Sequence, residues 1–244
     1  MSEFHGLYIL VNIGCLIVPL IFSFHRKLRF DLKWKSFVAG VFAMMMVFIP
    51  WDIYFTSNGI WGFSDAYTIG WKIAGLPIEE WLFFMCIPYA CLFTYHCMKY
   101  FFPKEPWPFF SRAVLLLTAI GFIVVGFMNT AKWYSFTAHL LSGCFLLLHI
   151  FILRSKYLGW FALTFVLVFP FFLISNGVLT GVDFWKYSLL NFHPEEIVRS
   201  VVWYNNEHNL GIRIFSMPLD DIAYGMLMLL LVTTVFEKME VKRS

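Results

Sequence analysis

The stretch Gly70–Phe84, GWKIAGLPIEEWLFF, places two adjacent glutamates at the start of an apolar run. The stretch Gly211–Gly225, GIRIFSMPLDDIAYG, places two adjacent aspartates after the same glycine, basic residue and proline. Ionisable groups beside a run long enough to enter a bilayer are costly, and they commonly mark function. A carboxyl pair that occurs twice in matching surroundings therefore predicts a duplicated structural unit with a shared role.

The composition is that of a membrane protein. Of the 244 residues, 60% are hydrophobic and 14% are charged, and the mean hydropathy is +0.74. Soluble domains contain roughly 45–50% apolar residues, so we expect several membrane-spanning helices. The net charge of +3 lies in short basic clusters beside the apolar runs, which indicates membrane topology rather than nucleic-acid binding.

Apolar runs long enough to cross a bilayer occur repeatedly along the chain. The predicted spans are residues 7–24, 36–55, 77–99, 113–130, 134–153, 158–175 and 218–236. Lysines and arginines are concentrated after the first, third and fifth spans and at the C-terminus. The positive-inside rule therefore predicts a multi-pass protein of the cell inner (plasma) membrane, with the N-terminus outside and the C-terminus cytoplasmic. The first span has no signal-peptide features, so we expect it to remain a helix.

The acidic stretches belong to a longer internal repeat. Residues 70–83 match residues 211–224 without a gap, and upstream SNGIWG (57–62) matches SNGVLTG (175–181). Each half then contains three helices, and a fourth helix between them restores the orientation. We predict an all-α polytopic membrane protein with seven transmembrane helices in a parallel 3+1+3 tandem repeat around a central cavity.

The repeat also predicts the domain organisation. The first three-helix repeat covers residues 1–112, the linking transmembrane helix covers 113–130, and the second three-helix repeat covers 131–244.

Neighbouring carboxyl groups at an apolar boundary suit acid–base chemistry. Glu79, Glu80, Asp220 and Asp221 are predicted in the first turns of the third and seventh helices, where acids also complement the helix dipole without any catalytic role. Two carboxyls so close cannot both ionise cheaply, whereas the dipole and a nearby cation favour the charged form. A protonated acid beside a carboxylate can protonate an alkene and remove another proton. We therefore predict these four residues to be catalytic.

Polar and aromatic residues near the acids are predicted to bind the substrate. They are Asp52, Asn58, Trp61, Lys72, Phe83, Asn176, Arg213 and Tyr224. Aromatic faces stabilise carbocations, although Trp and Tyr also populate membrane interfaces. The two basic residues either position the carboxylates or extend to the interface, and the asparagines either orient an acid or shape turns. Asp52 is either a third carboxyl of the site or a polar group at a helix end.

No cofactor or metal is predicted. The five cysteines form no CxxC pair, and His139 and His149 are interpreted as packed polar residues rather than a metal pair. The sequence contains no GxGxxG, GxxxxGK[ST] or HExxH motif for a nucleotide or a catalytic zinc ion.

Four stretches resemble the membrane-integral lycopene cyclases, both the heterodimeric bacterial type and its fused archaeal and fungal relatives. The stretches are PIEEWLFF, PLDDIAYG, WDIYFTSNGIWGF and VVWYNNEHNLGIRI. In that family each half is a three-helix domain with a P-x-[ED]-[ED] motif, and fused forms add a linking helix. The resemblance covers about residues 7–236 and implies that the four acids are the motif residues, with Asp-Asp in the second motif as a departure.

The resemblance implies a redox-neutral isomerisation, in which a protonated ψ end of lycopene closes through a carbocation to a β-ionone ring. The implied partners are lycopene or a related linear carotene and the bilayer, without nucleic acid, and we expect association with other membrane enzymes of carotenoid synthesis. Two other functions remain open. A membrane prenyltransferase would need DxxxD-type clusters for Mg²⁺ and diphosphate. A small proton-coupled transporter would need polar residues along a path through several helices.

Overall fold

The computed structural model describes residues 4–241 of the chain. Most of this part is helical. The α-helices are α1 (Leu7–Ser23), α2 (Trp34–Ser57), α3 (Ile78–Phe101), α4 (Pro108–Met128), α5 (Trp133–Leu147), α6 (Leu158–Thr180) and α7 (Asp220–Val241). A π-helical turn, Leu148–Ile152, continues α5, and 3₁₀ turns lie at Phe30–Lys33, Phe184–Lys186 and Pro194–Glu196.

All seven predicted spans are helical in the structure. Six of the helices, α2 to α7, are long and apolar enough to cross a membrane, and α1 is apolar but has 17 residues. The boundaries differ most at three ends, where α4 begins at Pro108, α6 continues to Thr180 and α7 continues to Val241. Proline suits the first helical position, because its missing N–H has no helical partner to lose. The helix α6 includes residues 175–180 of the second SNG segment, so Asn176 lies in a helix rather than in a turn.

The loops contain short strands that the all-α prediction did not include. They are β1 (Trp61–Phe63), β2 (Lys72–Ile73), β3 (Leu76–Pro77), β4 (Leu190–Asn191), β5 (Val202–Tyr204), β6 (Arg213–Ile214) and β7 (Met217–Pro218). The strands form the sheets β1–β5, β2–β3 and β4–β6–β7. Buried backbone N–H and C=O groups must be paired, and strand pairing supplies those partners where a loop folds back over the helix ends.

A β-hairpin precedes each acidic helix. Lys72 pairs with Pro77 in β2–β3, and Arg213 pairs with Pro218 in β6–β7. Each proline therefore ends a strand, directly or almost directly before α3 or α7, rather than opening the helix as its position in the sequence suggests. The hairpins hold the loops against the first turns that carry the acids.

The strands β1 and β5 join the two long loops. Trp61 pairs with Tyr204, and Gly62 pairs with Trp203. A side chain at Gly62 would overlap the indole ring of Trp203, so the close approach of the two strands requires glycine there. This pairing brings an aromatic loop from each half over the same end of the helix bundle.

The helices interleave the two halves of the chain. The helix α1 packs on α3 and α5 packs on α7, while α2 lies against α7 and α3 lies against α6. The helix α4 packs on α5 and α6. A Cβ atom at Gly40 would lie 2.8 Å from the carbonyl oxygen of Val232, so glycine permits the close packing of α2 on α7. The buried core includes Met44, Phe48 and Leu92, each fully enclosed.

Candidate active site

A narrow cavity of about 60 Å³ lies where the ends of the helices meet the paired loops. Three carboxyl side chains line it, those of Asp52 on α2, Glu80 on α3 and Asp221 on α7. These residues are 2%, 8% and 4% exposed, so each carboxyl is almost fully removed from water. The aromatic residues of the wall are Tyr8, Trp61, Phe63, Phe83, Tyr134, Phe172, Tyr204 and Tyr224.

The second acid of each motif faces this cavity and accepts a tyrosine hydroxyl. Tyr8 donates to Oε2 of Glu80, and Tyr134 donates to Oδ1 of Asp221 over 2.6 Å. Asp221 also accepts hydrogen bonds from the amide of Asn176 at 2.6 Å and from the hydroxyl of Tyr204 at 3.2 Å. Three donors around one carboxyl stabilise its ionised form.

The first acid of each motif ties a loop to a helix start. Glu79 accepts the backbone N–H of Ile69 at 2.7 Å, and Asp220 accepts the backbone N–H of Leu210 at 3.1 Å. Asp220 also accepts the hydroxyl of Ser135 at 2.5 Å. Glu79 and Asp220 are fully buried and are not among the residues that line the cavity.

His139 also approaches the second motif. It was interpreted from the sequence as a packed polar residue, and its Nδ1 bonds to the carbonyl of Ser135 at 2.8 Å. The same nitrogen lies 3.8 Å from Oδ1 of Asp220. His139 therefore belongs to the layer of polar groups behind the cavity wall.

Asp52 is the third carboxyl of the cavity. Its Oδ1 accepts a hydrogen bond of 2.5 Å from the indole N–H of Trp61. Its Oδ2 is buried without a hydrogen-bond partner among the described residues. A buried carboxyl oxygen with no donor is costly when charged, so the environment of Asp52 favours a protonated form.

The two basic residues of the motifs have different environments. Arg213 is buried, donates to the carbonyl of Ser216 at 3.0 Å and to Oδ1 of Asn206 at 2.7 Å, and lies 5.2 Å from the ring centre of Tyr204. Burial lowers the pKa of Arg213, while the nearby Tyr204 and Asp221 oppose that shift. Lys72 is half-exposed at its side chain and pairs with Asp65 at 2.8 Å.

Tyr204 lies on β5, in the loop over the helix ends. Burial raises the pKa of Tyr204 well above its ordinary value, and the negative charge of Asp221 adds to the shift. Its hydroxyl is therefore a neutral hydrogen-bond donor to Asp221.

The structure brings most of the predicted site residues together. Those that line the cavity are Asp52, Trp61, Glu80, Phe83, Asn176, Asp221 and Tyr224. Those that lie behind its wall are Glu79, Asp220 and Arg213. Asn58 and Lys72 lie at the surface, away from the cavity, and Asn58 donates to the carbonyl of Tyr54 at 2.7 Å. The matching asparagines of the two SNG segments thus occupy different environments.

Several cavity residues were not among the predicted site residues, including Tyr8, Tyr134 and Phe172. Tyr8 and Tyr134 each follow the first residue of a helix, α1 and α5, and these helices open the two halves. That shared position is a signal in the sequence, although it was not used. Phe172 lies among many phenylalanines of α6, and nothing in the sequence distinguishes it from them.

No metal-binding cluster is found in the part of the chain that the structure describes. Within residues 4–241, no group of three or more His, Cys, Asp or Glu residues is arranged to hold a metal ion. The absence of a metal from the reaction stays a prediction, and the chemistry below is derived from the carboxyl groups.

Buried carboxyls enclosed by aromatic rings, inside a bundle of apolar helices, define a multi-pass membrane protein with an internal cluster of acidic side chains. A sequence model of the family described as lycopene cyclase matches residues 5–98 and 131–239. These segments make up most of the chain, and the chain therefore belongs to the lycopene cyclase family.

A curated relative is similar over a shorter segment. The chain is 31% identical over 64 residues, 26% of its length, to the bifunctional lycopene cyclase/phytoene synthase of Aspergillus oryzae (strain ATCC 42149 / RIB 40). The match spans 11% of the length of that protein. No solved structure matches the chain.

Proposed function

We propose that the protein is a lycopene β-cyclase, which converts the linear ψ ends of lycopene to β-ionone rings and forms γ-carotene or β-carotene. The observation that carries this proposal is the enclosure of Asp52, Glu80 and Asp221 in one aromatic cavity. Membership of the lycopene cyclase family supports it. Redox-neutral cyclisation needs a proton donor, a proton acceptor and exclusion of water.

The proposed donor is the pair Glu80 and Asp52. Both carboxyls face the same small cavity, and two carboxyls that share a dry site cannot both ionise cheaply. Glu80 is held by the hydroxyl of Tyr8, while Oδ2 of Asp52 has no partner among the described residues. The pair therefore retains one proton that can be given to an alkene.

The proposed acceptor is Asp221. Its three donors, Tyr134, Asn176 and Tyr204, stabilise the carboxylate before the substrate binds. A preorganised carboxylate can remove a proton from the ring cation without rearranging its surroundings.

The proposed reaction conserves atoms and electrons. The acid proton adds to the terminal alkene of the ψ end and leaves a tertiary carbocation. The internal alkene attacks that cation, which forms the ring C–C bond and moves the positive charge to a ring carbon. Asp221 then removes a proton from the adjacent carbon at the ring junction, and the β double bond forms. The proton returns from Asp221 to the acid pair before the next turnover, so the net change is isomerisation.

The aromatic wall supports the cationic steps. Trp61 lies near the centre of this wall, with its ring centroid 5.0 Å from that of Tyr134 and 6.0 Å from that of Tyr224. The π faces of such rings attract a cation most strongly where water is excluded. In this proposal Trp61, Tyr224 and Phe83 bind and stabilise the cyclising end, while Glu79, Asp220 and Arg213 position the loops and the second acids.

Equivalent contacts support the parallel 3+1+3 arrangement as part of this proposal. The backbone N–H of Tyr8 donates to the carbonyl of Tyr67, and that of Tyr134 donates to His208. The bonds from the loop N–H groups to Glu79 and Asp220 correspond in the same way, as do the two β-hairpins. Gly70 and Gly211, which precede the hairpins, both have positive φ, at +89° and +74°.

The loop pairing supports an approximate two-fold axis between the halves. The backbone N–H of Asn205 donates to the carbonyl of Ile60 at 2.9 Å, and that of Ser64 donates to Val201 at 2.8 Å. A two-fold rotation about the Gly62–Trp203 pair would place each of these two bonds on the other. The same rotation leaves the pairing of β1 with β5 unchanged. We assign residues 1–112 and 131–244 to the two repeats and residues 113–130 to the linking helix. The interruption of the family match between residues 98 and 131 agrees with that division.

The proposed membrane topology follows from the number of spanning helices and the distribution of basic residues. The helix α1, at 17 residues, is within the range of roughly 17–25 residues for a spanning helix, which would bring the number of spans to seven. The distribution of basic residues supports an N-terminus outside, a C-terminus in the cytoplasm and a location in the inner (plasma) membrane. A compartment-sensitive reporter fused to either end tests this orientation. Association with other membrane enzymes of carotenoid synthesis stays a prediction.

Pigment analysis tests the proposed function. In a host that makes lycopene, the parent chain is expected to form β-ring carotenes, which chromatography separates from lycopene. Glu80→Gln and Asp221→Asn are each expected to lower cyclisation by about 10²–10⁴-fold, because each removes a proton-transfer group. Glu195→Gln, at an exposed loop position, is the matched control. Full cyclisation by both site variants would contradict the acid–base assignment.

A further inference from the structure

A second, larger cleft of about 570 Å³ adjoins the acid cavity. It lies between α1, α3, α6 and α7, and its wall is almost entirely apolar. The wall includes small residues of α1 and α3 and several phenylalanines of α6. Representative residues of the wall are Gly14, Cys15, Ala90, Cys91, Phe165 and Phe169.

The cleft and the acid cavity share part of their walls. Phe172 on α6 and Gly225 and Met228 on α7 line both spaces. Gly225 faces the ring of Phe172, and a Cβ atom at Gly225 would lie 3.5 Å from that ring. Glycine therefore leaves this space unfilled. A linear molecule that extends from one space into the other would pass these three residues.

We propose that this cleft binds the polyene chain of the substrate while one ψ end lies in the acid cavity, an inference that rests on the proposed function. The cavity of about 60 Å³ is too small for more than the reacting end, so the remaining chain must leave it. The cleft volume falls within the range of about 300–1,000 Å³ that is common for small-molecule pockets.

The shape and chemistry of the wall suit a long conjugated hydrocarbon. The rings of Phe165, Phe169 and Phe172 follow one another along α6, with centroids 6.4 Å apart at each step. This row of aromatic rings runs toward the acid cavity and offers apolar contact along its length. A flat polyene would contact these rings while its reacting end lies in the acid cavity. An acyl chain of a lipid could contact the rings but would place no reacting group in the cavity.

The matching face of the second half is closed. By the repeat, Cys91 on α3 corresponds to Val232 on α7, and Cys91 lines the cleft. Val232 instead lies against Gly40, where α2 packs closely on α7. The near-symmetric bundle therefore presents this cleft to one side, and a two-ended substrate is bound by one end at a time.

A plug in the cleft tests this inference. A Cβ at Gly14 would have no heavy atom of the described chain within 4 Å, so Gly14→Phe places a ring in the cleft. Gly121→Phe on α4 is the matched control, because its Cβ is equally unobstructed and Gly121 lines neither space. If Gly14→Phe does not accumulate in the membrane, Val18→Trp, also on the cleft wall, replaces it.

Two substrates distinguish chain binding from general damage. One is lycopene, and the other is an acyclic carotene shortened at the far end that keeps one ψ end. Gly14→Phe is expected to lower the ratio of the initial rate on lycopene to that on the short substrate by about tenfold, whereas Gly121→Phe keeps the parent ratio. An unchanged ratio, or an equal fall on both substrates, would overturn the inference.

A binding measurement separates this inference from the proposed function. Protein purified from lycopene-containing membranes is expected to retain carotenoid, as lycopene or its ring products, in the parent and in Gly121→Phe, and to lose it in Gly14→Phe. If the parent retains lycopene without cyclising it, the proposed function fails and the cleft assignment stands. Equal retention by all three proteins, no retention by the parent, or displacement of phospholipid alone would overturn the cleft assignment.

Discussion

Glu80 and Asp221 occupy matching positions in the two halves of the chain and line the same cavity, but their hydrogen-bond partners differ. Asp221 accepts bonds from two hydroxyls and an amide. Glu80 accepts the hydroxyl of Tyr8 and shares the cavity with a further carboxyl, Asp52. Two carboxyls at matching positions of the sequence repeat thus have unlike surroundings, which is the condition for the separate acid and base roles proposed above.

Asp52 is predicted to act with Glu80 as one proton store. Asp52→Asn keeps an acceptor for the indole of Trp61 but removes the acidic proton, so cyclisation is expected to fall by about 10–100-fold. Residues that act as a unit are non-additive, so adding Asp52→Asn to Glu80→Gln is expected to cause little further loss. Carotene chromatography measures both. Asp65→Asn, on an exposed side chain, is the control, and losses that simply multiply would refute the shared proton.

Tyr204 is predicted to support the base as a neutral donor. Tyr204→Phe removes one of three hydrogen bonds to Asp221 and is expected to lower the cyclisation rate by about tenfold, since bonds to charged groups are strong. Because burial and the charge of Asp221 raise the pKa of Tyr204, the hydroxyl stays protonated through its ordinary titration range.

The rate–pH profile provides a second readout for Tyr204. A raised pKa keeps the neutral form up to a higher pH, so the parent rate is expected to show no loss from this tyrosine up to pH about 10. The exposed Tyr54→Phe is the matched control and is expected to keep the parent rate. A parent rate that falls near pH 9 and loses that fall in Tyr204→Phe would contradict a buried, neutral donor.

Asp220 is predicted to stabilise the fold through the hydrogen bonds that it accepts. Asp220→Ala leaves the N–H of Leu210 and the hydroxyl of Ser135 without their partner, in a fully buried position. Each unsatisfied buried group costs about 1–3 kcal/mol, so unfolding in detergent is expected at a clearly lower temperature. Glu195→Ala, on an exposed loop, controls for loss of charge. Equal unfolding temperatures for the two variants would show that the two hydrogen bonds to Asp220 contribute little to stability.

The products are predicted to form in sequence. If the cleft holds the polyene chain while one end lies in the acid cavity, the carotene with one ring must leave and bind again in reverse before the second end reacts. A time course on lycopene is therefore expected to show the monocyclic carotene first and the bicyclic carotene after a lag. Excess fresh lycopene is expected to prolong that lag by competition. Bicyclic product without a monocyclic stage would contradict binding at one end.

Much of the helical architecture follows from local composition. All seven apolar runs became helices, because a run of apolar residues in a bilayer must satisfy its backbone groups internally. The short strands were not predicted, since segments of two or three residues have no measurable periodicity and depend on a partner strand elsewhere in the chain.

The sequence motifs predicted only part of the candidate site. The duplicated acids and Asn176 were identified as candidates because their surroundings recur along the chain, and Trp61 because it is an aromatic residue near the acids. The sequence could not separate Glu80 and Asp221 from their neighbours Glu79 and Asp220. Adjacent residues on a helix point about 100° apart, so one acid of each pair faces the cavity and the other turns back toward the loop.

By itself, the sequence determined a membrane bundle of apolar helices, an internal repeat and two acidic motifs at helix starts, since each depends on local hydrophobicity and spacing. Tertiary structure decided which acids share a cavity and that Asp52 joins them. It also decided that three tyrosines donate to these acids and that Lys72 and Asn58 lie at the surface. Those outcomes depend on how α2, α3 and α7 pack and on the pairing of β1 with β5. Such contacts join residues far apart in the chain, and no local pattern encodes them.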